Sequence, residues 1–369
     1  MNILHISGAR SWGGNEQQLI LNINELNQLQ TKNFIFGIEN TPLHERAKRH
    51  NIEFIASKSR KISKFGNVAQ LKDIIQQYQL DVIHLHTSDA LTLMYFYSLL
   101  NSIPAKVIFS KKGIGGSSSF LSKLKYNASF IHRIICVSNS VQDNFKLMLN
   151  NSSINKTTVV YDCISEQTFP KINDVLMNRF SDIKASYLMG SIANHTKAKD
   201  LPTLIEAVSI LKNKYQLSNF KLIQVGEFSK LTDEFKMLIQ QKGVENEFIL
   251  TGKIEDAMQL NHMFDAFVVS SSREGGPTSA LEAMLYQTPV VSTQVGVIPE
   301  VIVNGKNGFT CPPNQPELLA EALFAMYSLN EEQRKSMTDQ NYQFILDNFA
   351  SKNIAQQILK IYESKGVKY

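Results

Sequence analysis

Ser271-Ser272-Arg273-Glu274-Gly275-Gly276-Pro277-Thr278-Ser279-Ala280-Leu281-Glu282-Ala283-Met284 follows directly on a short apolar run, Ala266–Ser270, that reads as a buried strand. Gly-Gly-Pro breaks the chain after that strand, and Thr278–Tyr286 then takes up a helical pattern. Two glycines let the backbone approach a ligand closely, and the helix start at Pro277–Ser279 offers free N–H groups at a positive dipole end, which suits a diphosphate. Glu274 lies on the loop and Glu282 about one helical turn past the start, facing back towards it. Two glutamates at this spacing alone read as a solvated helix face. Set around a Gly-Gly-Pro turn at a strand's end, they read as acceptors for hydroxyls such as those of a sugar and a ribose.

The same strand–loop–helix unit recurs on either side. Strands are expected at Tyr187–Ile192, Lys221–Val225, Phe248–Leu250 and Pro289–Ser292, with helices at Leu201–Tyr215, Leu231–Lys242, Glu331–Phe349 and Ile354–Glu363. Asp200 before Leu201-Pro202 reads as a cap followed by a first-turn proline. Upstream, strands are expected at Asn2–Ser7, Phe34–Ile38, Asp81–His86, Lys106–Phe109 and Arg133–Val137, and helices at Glu16–Leu29, Val68–Tyr78 and Ala90–Leu100. The pattern weakens from Ser165 to Asp182, as in a linker. The fold class expected is α/β: two doubly wound parallel-sheet domains, 1–165 and 166–349, with a helix in 350–369 packing back on the first. Ligands bind at the carboxyl ends of the strands in such sheets, so the functional residues are sought just after strands, in a cleft between the domains.

The bulk composition bounds the possibilities. In 369 residues, 43% are hydrophobic and 19% charged, which excludes a disordered chain. Cys136, Cys163 and Cys311 are odd in number, far apart and without metal-ligand spacing, which points to a reducing compartment and excludes a disulfide framework. The start reads as a strand rather than a signal peptide, and the longest apolar run, Leu91–Leu100, is short of the roughly 20 residues of a membrane span. A cytoplasmic location is expected. Residues 1–170 hold 18 Lys and Arg against 11 Asp and Glu, the remainder 20 against 22. A basic first half, densest at Arg46, Lys48, Arg49, Lys58, Arg60, Lys61 and Lys64, suits either a solvated surface or anionic lipid headgroups at the inner face of a membrane. No nucleic-acid motif is present.

The run around Glu274 and Glu282 resembles the signature of the retaining glycosyltransferases of family four, which have the GT-B fold and carry a Glu-x7-Glu pair. Further pieces resemble that family in order: Gly13-Gly14-x-Glu16, Asp81-Val-Ile-His84-Leu-His86, Ile134–Ser138, Lys199-Asp200, Gln224-Val225-Gly226, Thr251-Gly252, Pro289-Val290-Val291 and Gly296–Glu300. The resemblance spans nearly the whole chain. It implies a nucleotide-sugar donor, a UDP-sugar in the first instance, and a saccharide or lipid-linked saccharide acceptor of the kind used in bacterial polysaccharide or lipopolysaccharide synthesis. It implies that Glu274 holds donor-sugar hydroxyls and Glu282 the ribose. The N–H groups of Thr278 and Ser279, beside Gly275, Gly276 and Pro277, would meet the diphosphate. Lys199 would neutralise the leaving phosphate, Gly13 and Gly14 would bring a second helix start to it, and Gly226 would line the donor site. No cofactor is implied beyond the donor, and the absence of Asp-x-Asp fits a metal-independent enzyme.

Two positions depart from the family pattern. Asn194 stands where an arginine is common, with His195 next and Lys197 near enough to supply charge. Lys111 and Lys112 stand where a histidine is common, so that either would face the cleft, Lys111 as the catalytic choice. His84 and His86 read as pointing to opposite faces of their strand, with His86 the candidate for the cleft and a satisfied core histidine the alternative. Gly113–Ser119 reads as a flexible cleft loop rather than a P-loop. The rival functions are a GT-B nucleotide-sugar epimerase, which needs no acceptor, and a two-domain binding protein without chemistry.

Overall fold

The computed structural model describes residues 1–115, 119–165 and 172–364. Gly116, Ser117 and Ser118 of the glycine-rich loop, and Glu166–Lys171 of the linker stretch, lie outside the described residues.

The chain divides into two compact units, Met1–Ser165 with Phe349–Tyr369, and Glu166–Asn348. In the first, β1 (Asn2–Ile6), β2 (Lys32–Gly37), β3 (Glu53–Ala56), β4 (Val82–Leu85), β5 (Lys106–Lys111), β6 (Ile131–Cys136) and β7 (Thr157–Val159) form a parallel sheet in the order β3-β2-β1-β4-β5-β6-β7. In the second, β8 (Tyr187–Ile192), β9 (Phe220–Val225), β10 (Phe248–Leu250), β11 (Ala266–Val269), β12 (Val290–Thr293) and β13 (Phe309–Cys311) repeat that order as β10-β9-β8-β11-β12-β13, again parallel. In each sheet the winding direction reverses once, between β1 and β4 and between β8 and β11, and loops diverge there at the strands' carboxyl ends.

The strands form because nearly every position in them is apolar, as burial on both faces requires. On one face of the first sheet Leu4, Phe34, Ile83, Leu85 and Phe109 pack with Leu71, Ile75 and Met94 of the covering helices. On the other, Ile3, Val82, Ile108 and Ile135 are closed over by Ile354, Ala355, Ile358 and Tyr362 of the helix Ser351–Glu363. The Lys106 ammonium fastens that helix by donating to the carbonyls of Tyr362, Glu363 and Ser364 at 2.8, 3.3 and 3.0 Å, which supplies partners for a C-terminal helix end. Where the chain leaves and re-enters this unit, Ile164 and Ala350 form a parallel bridge.

The sequence reading missed three strands, β3, β7 and β13, which are only three or four residues long and lie at sheet edges. It also missed the helices Pro42–Arg49, Phe120–Tyr126 and Asn139–Lys146, each only about two turns long, and the longer Pro316–Tyr327. Asp200 is not a conventional cap. It sits in the left-handed region, φ +48°, and its carboxylate accepts from the Thr203 hydroxyl at 2.7 Å. No helix among the described residues is long and apolar enough to cross a membrane.

Candidate functional site

The loops at the β8/β11 reversal carry the charged residues. Lys199 ends a 3-10 turn, Lys197–Lys199, after β8, and Glu274 stands in the loop after β11. Backbone bonds lock the two loops together: Ser272 N–H donates to Ala198 O at 2.8 Å and the Ser270 hydroxyl to Lys199 O at 3.0 Å. Held this way, the Lys199 ammonium pairs with Glu274 Oε1, and the Ser271 hydroxyl donates to the same oxygen at 2.8 Å. Neither bond uses Oε2.

The Glu274 loop passes close beneath Gly296, whose φ is +56°. A Cβ on Gly296 would come within 2.6 Å of the Gly275 carbonyl oxygen, so glycine is required there by conformation and by space. Pro277 starts the helix Thr278–Leu285. The Thr278 N–H turns back to Gly276 O at 2.9 Å, whereas Ser279 N–H remains at the open helix end. Glu282, half-buried on that helix, has its carboxyl pushed up to about 8 by burial, with no hydrogen bond or cation opposing the shift. A carboxylate in such a place gains stability only when hydroxyls or N–H groups arrive to bond it.

Other residues expected in the donor site have structural occupations. Gly226 is dictated by the close approach of the loops after β8 and β9: a Cβ would fall 1.9 Å from Ala193 O. The Asn194 side chain accepts from Glu227 N–H at 2.9 Å, stitching the same two loops. His195 is buried, with Nδ1 and Nε2 at 2.7 Å from Thr232 Oγ1 and Gln224 Oε1, as a satisfied core histidine. Lys197 is exposed.

At the β1/β4 reversal the helix starts carry carboxylates of their own. Gly13 precedes the helix Gly14–Gln28, and the Glu16 carboxylate accepts from the N–H groups of Gly13 and Glu16. That occupies the helix start that Gly13 and Gly14 were expected to offer to phosphate. Asp89 likewise accepts from Ala90 N–H at 3.1 Å, at the start of Ser88–Ser98. The Lys111 ammonium donates to Gly115 O at 2.6 Å and lies over the Phe145 ring, and burial lowers its pKa. Lys112 pairs with Asp162 at 2.6 Å.

The histidines correct the sequence reading. Residues two apart on a strand share a face, and the His84 and His86 rings lie 4.1 Å apart on one side of the sheet. His5 of β1 joins them, its Nδ1 3.0 Å from His86 Nε2, while Nε2 lies 3.0 Å from Asn33 Oδ1. His84 Nδ1 and Nε2 meet the Tyr362 hydroxyl at 2.6 Å and the Ser110 hydroxyl at 2.8 Å. Burial lowers all three pKa values, that of His5 to about 4, so the rings are neutral at pH 7. Their nitrogens lie within 4.8 Å of one another, as metal ligands might, but both nitrogens of His84 are already engaged. The adjoining cavity, about 20 Å3, has room for a water molecule and not for a sugar ring. Tyr362 and Asn33 were not foreseen, since nothing local marks either as a neighbour of a histidine.

Residues 178–344 match the family model described as glycosyl transferases group 1. Among curated relatives, N-acetyl-alpha-D-glucosaminyl L-malate synthase of Bacillus anthracis is 22% identical over 80% of this chain and 77% of its own. The capsular polysaccharide biosynthesis glycosyltransferase CapM of Staphylococcus aureus is 24% identical over 63% of this chain and 61% of its own. Among solved structures, Anabaena HepE in complex with UDP and glucose superposes with a TM-score of 0.85 at 20% identity, covering 99% of this chain and 100% of that one. The strand order, the loops at the two reversals and these likenesses agree: the protein is a glycosyltransferase of the GT-B fold, with a glycosyl transferases group 1 domain as its second unit.

Proposed function

We propose that the protein transfers a glycosyl group from a UDP-sugar to a hydroxyl of a saccharide or lipid-linked saccharide, with retention of configuration and without a metal ion. The observation that carries this reading is the pairing of Lys199 with Glu274 across the β8/β11 reversal, beside a half-buried Glu282 whose carboxyl has no partner among the described residues. Ribose hydroxyls donating to Glu282 would favour its ionised form. The Ser279 N–H would take a diphosphate oxygen, and Glu274 Oε2 a hydroxyl of the transferred sugar. As the bond from the anomeric carbon to the phosphate oxygen breaks, the Lys199 ammonium stabilises the charge on the departing diphosphate. The acceptor oxygen bonds to the anomeric carbon from the same face, and its proton passes to the released phosphate. HepE was solved with UDP and glucose, and CapM is named for capsular polysaccharide, which supports a UDP-sugar and a role in bacterial surface polysaccharide.

A peripheral site of work at the cytoplasmic face of a membrane belongs to the same reading. It rests on the basic first unit and on Phe120, Leu121 and Leu124, which stand exposed beside Lys123 on one short helix.

Thermal unfolding with UDP, GDP and ADP and their sugars tests the donor assignment, since a ligand that binds only the folded state raises its stability. UDP compounds should raise Tm in the wild type and fail to do so in Glu282→Ala. Equal indifference to all three nucleotides would overturn the proposal. Release of UDP in the absence of any acceptor would favour the epimerase instead.

A further inference from the structure

The protons of His5 and His86 can be traced from one hydroxyl. The Thr31 hydroxyl donates to Leu26 O at 2.7 Å, so its oxygen can only accept from Asn33 Nδ2, 2.8 Å away. Asn33 Nδ2 also donates to Asn27 Oδ1 at 2.8 Å, which turns Asn33 Oδ1 towards His5. An amide oxygen accepts only, so His5 Nε2 carries the proton of that bond. His5 is neutral, hence its Nδ1 holds a lone pair, and the proton between it and His86 must sit on His86 Nε2. His86 is neutral too, so its Nδ1 is left as a lone pair that no described residue bonds.

We infer that Asn33, acting through His5, is a positioning residue that holds His86 as the Nε2–H tautomer, with Nδ1 presented as a hydrogen-bond acceptor for a hydroxyl of the saccharide substrate. The inference rests on the proposed glycosyl transfer for the identity of the hydroxyl, and on the hydrogen-bond geometry of two buried, neutral rings for the tautomer. His86 stands one residue past the end of β4, at the β1/β4 reversal where loops diverge and ligands bind. The second tie on the ring system comes from His84, clamped between Ser110 and Tyr362, which packs at 4.1 Å against the His86 ring and restrains its rotation. A cation at this place would repel Lys112, and a phosphate would face lone pairs. A neutral hydroxyl is the group that such an acceptor fits. Asn33 is itself buried and is linked to His86 through His5.

The test is nitrogen NMR of the imidazoles in the full-length, 15N-labelled wild type, with the His86 signals identified by their loss in His86→Gln. Both His5 and His86 should show the Nε2–H tautomer at pH 7.5. A His86 carrying its proton on Nδ1, or charged, would overturn the relay without any mutation having been made. Thr31→Val then removes the hydroxyl that orients the amide, at a half-buried position. It should give mixed His86 tautomers and raise KM for the acceptor about tenfold, the worth of one hydrogen bond, with KM for the donor unchanged. An unchanged acceptor KM beside mixed tautomers would also overturn the assignment. If UDP failed to stabilise the protein while the tautomers were as stated, the UDP-sugar donor would fall and the relay would survive. UDP binding with the opposite tautomer would remove the relay alone.

Discussion

The two sheets share one strand order, yet their reversal points are furnished in opposite ways. At β8/β11 an ammonium, an open helix start, and two carboxyl groups, Glu274 with one oxygen and Glu282 with both unbonded among the described residues, stand together. At β1/β4 the helix starts are stopped by Glu16 and Asp89, the lysines are spent on Gly115 and Asp162, and the open group is a neutral imidazole. A diphosphate needs cation and dipole, and a neutral hydroxyl needs a lone pair. The contrast supports the proposal that the donor binds the second unit and the hydroxyl acceptor the first, from chemistry rather than from strand order.

The comparison breaks most visibly on the lysines. Lys199→Ala should lower kcat by about 10²–10³-fold, the size seen when one preorganised group on a developing anion is removed. Lys111→Ala, whose ammonium serves its own loop, should cost less than about tenfold. Steady-state rates with saturating donor and acceptor measure both, and reversed magnitudes would place the leaving-group charge in the first unit.

Glu282 offers a sharper test because stability and binding should move apart. Its carboxyl keeps a proton up to about pH 8 when folded, whereas an unfolded carboxyl releases it near 4.5. The ligand-free protein is therefore favoured by this group below pH 4.5 and loses that contribution as pH rises towards 8. Glu282→Gln should raise the Tm of the ligand-free protein at pH 8 by a few degrees and weaken UDP binding. In the wild type, UDP affinity should rise between pH 7 and 8 as binding releases the proton, and calorimetry in buffers of different ionisation enthalpy should detect it. The glutamine variant should show neither effect.

Gly296→Ala sets a side chain against the Gly275 carbonyl at a left-handed position, and should cost about 1–3 kcal/mol in urea unfolding. A donor KM that rises with it would tie that loop to the site.

The smallest effect expected is acid sensitivity from the first unit. Unfolded histidines take protons near 6.5, while folded His5 refuses one until about 4, and His84 and His86 are lowered in the same direction. Stability from these groups is flat above 6.5 and falls as pH drops from 6.5 towards 4. His5→Gln should flatten that decline in a Tm-against-pH series.

Much of the fold was legible because buried parallel strands advertise themselves: Tyr187–Ile192 and Phe248–Leu250 were placed to the residue. Thr157–Val159, equally short, was not, since two of its three residues are threonines and it lacks the apolar run of Phe248–Leu250. Glu274, Glu282 and Lys199 could be found because their spacing follows strand ends. The close backbone approach that requires glycine at 226 was not legible, since such a glycine looks the same in sequence as one that lines a ligand. The histidine network could not have been assembled from sequence, since Asn33 lies 28 residues from His5, and Tyr362 lies 278 from His84.

The helix Ser351–Glu363 has a consequence for how the molecule is made. Ile3, Val82, Ile108 and Ile135 leave the ribosome long before Ile354, Ala355, Ile358 and Tyr362, which cover them. Until they emerge, that face of the first-made sheet is covered only in part, by the helix Gly14–Gln28, and a nascent chain in that condition is a client for chaperones. A message cut before Ile354 would encode every donor-site residue discussed above and still leave Val82, Ile108 and Ile135 without that cover.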